Sequence, residues 1–138
     1  MVGLDGDDTI LGKGGNDTIC AGRGDDFAFG AIGRDWISGD EGHDLLAGGT
    51  GNDRIFGRQG NDVIFGGWGW DRLFGNLGHD TIFASRGNDT IFGGFGNDAI
   101  FGRRGDDTIV CGPGIDFVNG GLGLDMADPT CEAQTNVP

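Results

Sequence analysis

Residues 87–95 read Gly-Asn-Asp-Thr-Ile-Phe-Gly-Gly-Phe, and the chain is nearly a tandem array of this nine-residue unit. Aspartate recurs at every ninth position without a slip: Asp8, Asp17, Asp26, Asp35, Asp44, Asp53, Asp62, Asp71, Asp80, Asp89, Asp98, Asp107, Asp116 and Asp125. These 14 slots take 14 of the 20 aspartates, so the period belongs to the whole chain and decides its architecture. Glycine stands two residues before each, from Gly6 and Gly15 to Gly114 and Gly123. Two residues after each stands an aliphatic side chain such as Ile55, Ile64 or Leu73, with only Ala28 and Ala127 undersized. Five residues before, glycine fills every slot except Ala21, Ala84 and Cys111. Counted from that slot, the aspartate is position six and the aliphatic residue position eight.

Glycines at positions one, two and four allow positive φ and hence a tight turn. Positions seven to nine, such as Thr90-Ile91-Phe92, favour strands and alternate in direction, so Ile91 alone faces inward. One unit cannot bury its own apolar side chain, whereas stacked units can. The sequence therefore predicts an all-β fold: a parallel β-roll, or β-solenoid, of about 14 repeats with two repeats per coil. Each repeat would spend six residues on a turn and three on a strand. Odd and even strands would form two parallel sheets with the Ile columns meeting between them. Seven coils at roughly 4.8 Å per strand make a rod on the order of 34 Å long. The roll is expected over residues 3–128, with 129–138 as a C-terminal cap or tail.

In such a coil, aspartates 18 residues apart stack into two carboxylate ladders, one along each edge. Stacked like charges repel unless a cation lies between the rungs. Carboxylates together with exposed turn carbonyls form the hard-oxygen donor set of Ca²⁺. Mg²⁺ demands stricter octahedral geometry, and zinc or copper would need His or Cys, which the ladders lack. The unit resembles the glycine- and aspartate-rich nonapeptide of the RTX (repeats-in-toxin, hemolysin-type) calcium-binding proteins. That resemblance covers nearly the whole chain and implies Ca²⁺ held in the turns between repeats i and i+2, calcium-dependent folding and an extracellular setting. It further implies that the 14 aspartates named above are the side-chain ligands, with turn carbonyls completing each shell. Six gaps per edge allow at most about twelve ions.

Lys13, Ala31, Asp40, Arg58, Asn76, Ser85 and Arg103 replace the second glycine, each at a cost of about 1 kcal/mol or more if its φ is positive. A metal-free roll in which each Asp caps its own turn is the alternative. Against it, position six is never Asn, whereas Asn16, Asn52, Asn61, Asn88 and Asn97 occur one residue earlier.

The chain has 138 residues, one domain's worth, and its 32 glycines preclude long helices. A net charge of −13 excludes a nucleic-acid partner. Twelve Ca²⁺ would add 24 charges to −13 and leave +11, so some turns are expected to stay empty. No stretch is apolar enough to span a membrane. No signal sequence precedes Gly3, which leaves a trimmed chain or another export route. The extracellular expectation rests instead on the millimolar calcium that fills weak sites outside cells.

Cys111 lies in a turn-glycine slot and Cys131 in the tail. A disulfide between them would draw residues Asp128 to Glu132 over the open end; two unpaired thiols are the alternative. Cys20 is left over on an outer strand position. Phe56, Phe74 and Phe92 would stack on one outer face, with Phe65, Phe83 and Phe101 on the other. Such stripes would serve either as intrachain ladders or as a self-association surface, so the alternative function is a structural protein that self-assembles into a fibre, matrix or adhesive through its Phe ladders or its open solenoid ends. The Thr column of Thr9, Thr18, Thr81, Thr90 and Thr108 is too interrupted for ice binding. His43 and His79 lie four repeats apart, too far for a shared metal. No nucleophile, base and orienting acid come together, so an enzyme is not expected.

Overall fold

A computed structural model of the protein describes residues 1–131 and 133–135, the last three by backbone alone. Among the described residues there are fifteen strands in order: β1 (Thr9–Leu11), β2 (Thr18–Arg23), β3 (Phe27–Ile32), β4 (Trp36–Glu41) and β5 (Leu45–Thr50). There follow β6 (Arg54–Gln59), β7 (Val63–Trp68), β8 (Arg72–Leu77), β9 (Thr81–Arg86) and β10 (Thr90–Phe95). The last are β11 (Ala99–Arg104), β12 (Thr108–Val110), β13 (Phe117–Leu122), β14 (Met126–Ala127) and β15 (Ala133–Thr135). Odd strands form an eight-stranded sheet ordered β1-β3-β5-β7-β9-β11-β13-β15, and even strands a seven-stranded sheet ordered β14-β12-β10-β8-β6-β4-β2. All pairings are parallel, and along the repeats the register is one coil, as in Ile55↔Leu73 and Ile64↔Ile82. The expected all-β roll with two repeats per coil is what the chain adopts.

The core is the position-eight column. From Ile19 to Val118 every member is fully buried, Ala28 included, and only the two end members, Ile10 and Ala127, are partly exposed. Because the period is constant, each inner member stacks against the position-eight residues of the coils on either side, and the column is fully buried from Ile19 to Val118.

Two details differ from expectation. Most strands run six residues rather than three, because pairing continues around the corner: in β10 it includes Thr90↔Arg72 and resumes at Gly94↔Asn76 and Phe95↔Leu77. Position one, which is Gly93 there, is skipped as the backbone turns inward. Positive φ is confined to positions two and four, such as Gly49 (111°) and Gly51 (129°), and no position-one glycine adopts it. The first glycine therefore answers a spatial need rather than a conformational one. The seven substituted residues named above all take positive φ, from Arg103 at 77° to Arg58 and Ser85 at 89°, and bear the strain expected of them, whereas Leu4, at position two of the first repeat, does not.

At the C-terminal end, Cys111 and Cys131 form a disulfide with Cα atoms 5.2 Å apart, and Cys131 is buried against the core column. The intervening turn is held by the Cys131 N–H donating to the Asp128 carbonyl at 3.1 Å. Beyond it β15 pairs with β13 through Phe117↔Ala133, adding one more strand over the end of the larger sheet. Residues 133–135 of the segment expected as a cap or tail form that strand; Glu132, the far end of the segment expected to fold over the end, lies outside the described residues.

The Phe columns stack as expected: Phe56–Phe74 at 4.7 Å, Phe74–Phe92 at 4.9 Å, Phe65–Phe83 at 5.0 Å and Phe83–Phe101 at 4.9 Å between centroids. Most of these rings are half-buried, partly because position-two side chains fold over them. The Arg58 guanidinium lies 5.2 Å from the Phe56 centroid and that of Arg103 lies 4.9 Å from Phe83.

Candidate metal centre

Position six ends each turn just before a strand, and the one-coil register sets its carboxylate against the aspartate of the adjacent coil. The backbone N–H of Asp44 donates to Asp62 Oδ1 at 2.9 Å, and that of Asp62 donates to Asp80 Oδ1 at 2.8 Å. On the other edge Asp53 donates to Asp71 Oδ1 at 2.8 Å and Asp71 to Asp89 Oδ1 at 2.7 Å. The same bond joins every successive pair from Asp8 to Asp116 and from Asp17 to Asp125. All 14 aspartates fall into the two ladders, and those from Asp26 to Asp125 are at most 3% exposed.

The second oxygen has no such partner. Oδ2 is buried and without a hydrogen bond in 13 of the 14, from Asp17 to Asp125. In Asp8 alone it accepts a bond, from the Leu4 N–H at 3.1 Å. A buried ionised oxygen left unpaired is costly, so this geometry calls for a positive charge. The unpaired oxygen points over position one of its own turn. A Cβ on Gly57 would lie 2.2 Å from Asp62 Oδ2 and 2.8 Å from the Gly75 carbonyl oxygen of the adjacent coil. On Gly75 it would lie 2.3 Å from Asp80 Oδ2 and 2.4 Å from the Gly93 carbonyl. Position one is glycine because that hollow, floored by a carboxylate and a carbonyl oxygen, must stay open. In the turns ending at Asp26, Asp89 and Asp116 a Cβ stands there, on Ala21, Ala84 and Cys111.

Turn carbonyls add further donors. Among the described residues no N–H donates to the position-four carbonyls of Gly33, Gly51 or Gly69. No three His, Cys, Asp or Glu side chains converge on one point among the described residues, so a cation here would complete its shell from backbone oxygens. Carboxylate and carbonyl oxygens fit Ca²⁺, which accepts six to eight such ligands with variable geometry.

Burial disfavours the charged carboxylates. It pushes Asp89 up to about 8 and Asp62 and Asp71 to about 7. Asp44, Asp53, Asp80 and Asp107 rise to about 6, and Asp26 and Asp98 rise as well. Backbone N–H donors oppose the rise, while neighbouring carboxylates mostly add to it.

A second, outer column escaped the sequence reading. Position-five side chains accept the N–H of position five one coil on: Asn52 Oδ1 from Trp70 at 2.9 Å, Asn61 Oδ1 from His79 and His43 Nδ1 from Asn61, both at 2.8 Å. His79 Nδ1 in turn accepts from the Asn97 N–H at 2.8 Å, so both histidines act as acceptors in a turn-surface column. Its sequence signal is an acceptor at most position-five slots: Asp7, Asp25, His43, Asn61, His79 and Asn97 on one edge, Asn16, Asn52, Asn88 and Asp106 on the other.

Four overlapping segments, residues 1–28, 21–55, 47–82 and 74–109, match the model of the RTX calcium-binding nonapeptide repeat. A search of curated proteins returned no match.

Proposed function

The chain belongs to the RTX calcium-binding nonapeptide-repeat family, and from that premise we propose an extracellular calcium-binding β-roll whose folding is driven by the ions its turns hold. The supporting observation is the row of 13 buried, unpartnered Oδ2 atoms. Bound Ca²⁺ supplies the positive charge and the oxygen-coordinating centre that these atoms lack. The ligands proposed are the 14 ladder aspartates, Asp8 to Asp125 at nine-residue intervals, together with turn carbonyls. In the unfolded chain these oxygens are dispersed and hydrated; in the roll they are stacked and desolvated. Metal binding and folding are thereby coupled, and chelation should unfold the roll. An extracellular setting is supported by chemistry, since weak, carbonyl-rich sites fill at millimolar calcium.

A circular-dichroism titration with Ca²⁺ after chelation tests this reading. A cooperative gain of β-signal is expected with calcium and little with equimolar Mg²⁺. A roll fully ordered in excess chelator at neutral pH would overturn it. Self-assembly through the Phe faces has weaker support, because the stacked rings are mostly half-buried and partly roofed by arginines.

A further inference from the structure

The parallel register that sets Asp against Asp also sets Arg54 directly against Arg72. Both are exposed, and neither has a carboxylate within 4 Å among the described residues, whose three ion pairs all lie on the opposite edge. The nearest acids in sequence, Asp53 and Asp71, are only 1% exposed and committed to the ladder. Two arginines side by side on adjacent strands, with no carboxylate within ion-pair distance, invite an oxyanion that accepts from both.

The cleft holding this pair is also lined by Arg34, Asn52, Trp70, Asn88 and Thr90, and the nearly buried Asp53 and Asp71 lie at its edge. Trp70 is 66% exposed, a flat apolar surface beside three cations. The Asn52 amide oxygen is occupied by the Trp70 N–H, so its NH₂ remains as a donor. Arg34, Asn52, Trp70 and Asn88 follow one another at one-coil steps, which makes the cleft roughly 14 Å long. A flat apolar face, amide donors and paired guanidinium groups suit a sugar ring carrying carboxylate or sulfate. The short cleft and the net charge of −13 disfavour a long polyanion such as a nucleic acid.

Charge placement agrees. Seven of the nine cations, Lys13, Arg34, Arg54, Arg72, Arg86, Arg103 and Arg104, lie along this edge, where, among the described residues, Asp106 is the sole acid outside the ladder. We propose that the cleft formed by Arg54, Arg72 and Trp70 binds a short anionic saccharide, with its oxyanion across the two arginines and its ring on the indole.

The test uses the full chain in millimolar Ca²⁺ and about 150 mM salt, with circular dichroism reporting separately that every variant is folded. Calorimetry and tryptophan fluorescence then follow titration with sulfated maltotriose, sialyllactose, neutral maltotriose and a short single-stranded oligonucleotide. Sulfated maltotriose or sialyllactose should bind, and which one does distinguishes sulfate from carboxylate. Neutral maltotriose should not bind. The Arg54→Gln/Arg72→Gln double variant and Trp70→Ala should each weaken binding at least tenfold, while Arg103→Gln/Arg104→Gln should change it less than threefold. The proposal is overturned if neither anionic sugar binds the folded chain, if both arginine pairs matter equally, or if the oligonucleotide binds more tightly than either sugar.

Discussion

Asp62 accepts the Asp44 N–H on Oδ1 at 2.9 Å while its Oδ2 stays buried and unpaired, so the two oxygens of one carboxylate have separate roles. The first could be supplied by an asparagine; the second could not. Asp62→Asn should therefore keep the inter-coil hydrogen bond and still raise the calcium midpoint, on the order of tenfold, about 1.4 kcal/mol. Asp62→Ala should cost more, because the Asp44 N–H also loses its acceptor. Calcium titrations of both variants followed by circular dichroism check this ordering. Equal midpoints for Asp62→Asn and the parent would remove Oδ2 from the ligand set.

Acidity should act in opposite directions on the metal-free and calcium-loaded roll. A carboxyl raised from 3.8 to about 7 in Asp62, or about 8 in Asp89, binds more protons folded than unfolded between those values. Its contribution without metal is fully present below about pH 4 and is lost as pH rises through about 8. In chelator, a sample at pH 5 should hold more β-structure than one at pH 8. With calcium the order reverses, because protons and cations compete for the same oxygens, and the calcium midpoint should rise as pH falls from 8 to 5. A chelated roll more ordered at pH 8 than at pH 5 would contradict the burial of these groups.

Adjacent turn residues should respond unequally to substitution. At Gly57 an added methyl would meet Asp62 Oδ2 and the Gly75 carbonyl, so Gly57→Ala should destabilise by roughly 1–3 kcal/mol and raise the calcium midpoint. Arg58 has φ of 89°, and Arg58→Gly relieves about 1 kcal/mol of strain while losing a cation–π contact of similar size to Phe56. That variant should stay within about 1 kcal/mol of the parent. The reverse change at a filled hollow, Ala84→Gly, should lower the calcium midpoint. Urea midpoints at fixed calcium give all three answers.

What was legible in the sequence followed from strict periodicity. With aspartate and an aliphatic residue in fixed phase, coil size, parallel register, the Ile55-to-Ile109 core and the Phe56–Phe74–Phe92 stack all follow from one stacking operation. What was not legible is set by packing between coils. Gly57 and Gly49 look alike as letters, yet Gly57 clears space for an oxygen while Gly49 supplies a φ of 111°. Pairing around the corner, which lengthens β10 to Phe95, depends on the bend at Gly93. The acceptor role of His43 is visible only once Asn61 is placed one coil above it.

The Cys111–Cys131 bridge offers the last prediction, because it separates end stability from calcium affinity in the middle of the roll. The bridge closes 20 residues of separation, worth about 3 kcal/mol of unfolded-chain entropy, and it holds Cys131 against the final core residues. In a solenoid each coil depends chiefly on its neighbours, so loss of the bridge should loosen the last coils first. Cys111→Ser with Cys131→Ser should speed amide exchange in β12, β13 and β14 while β6 to β9 keep their protection at saturating calcium. The calcium midpoint of the whole should rise only modestly. Uniform acceleration along the rod would instead mean that the 14 units fold as one cooperative block, with the disulfide acting on all of them at once.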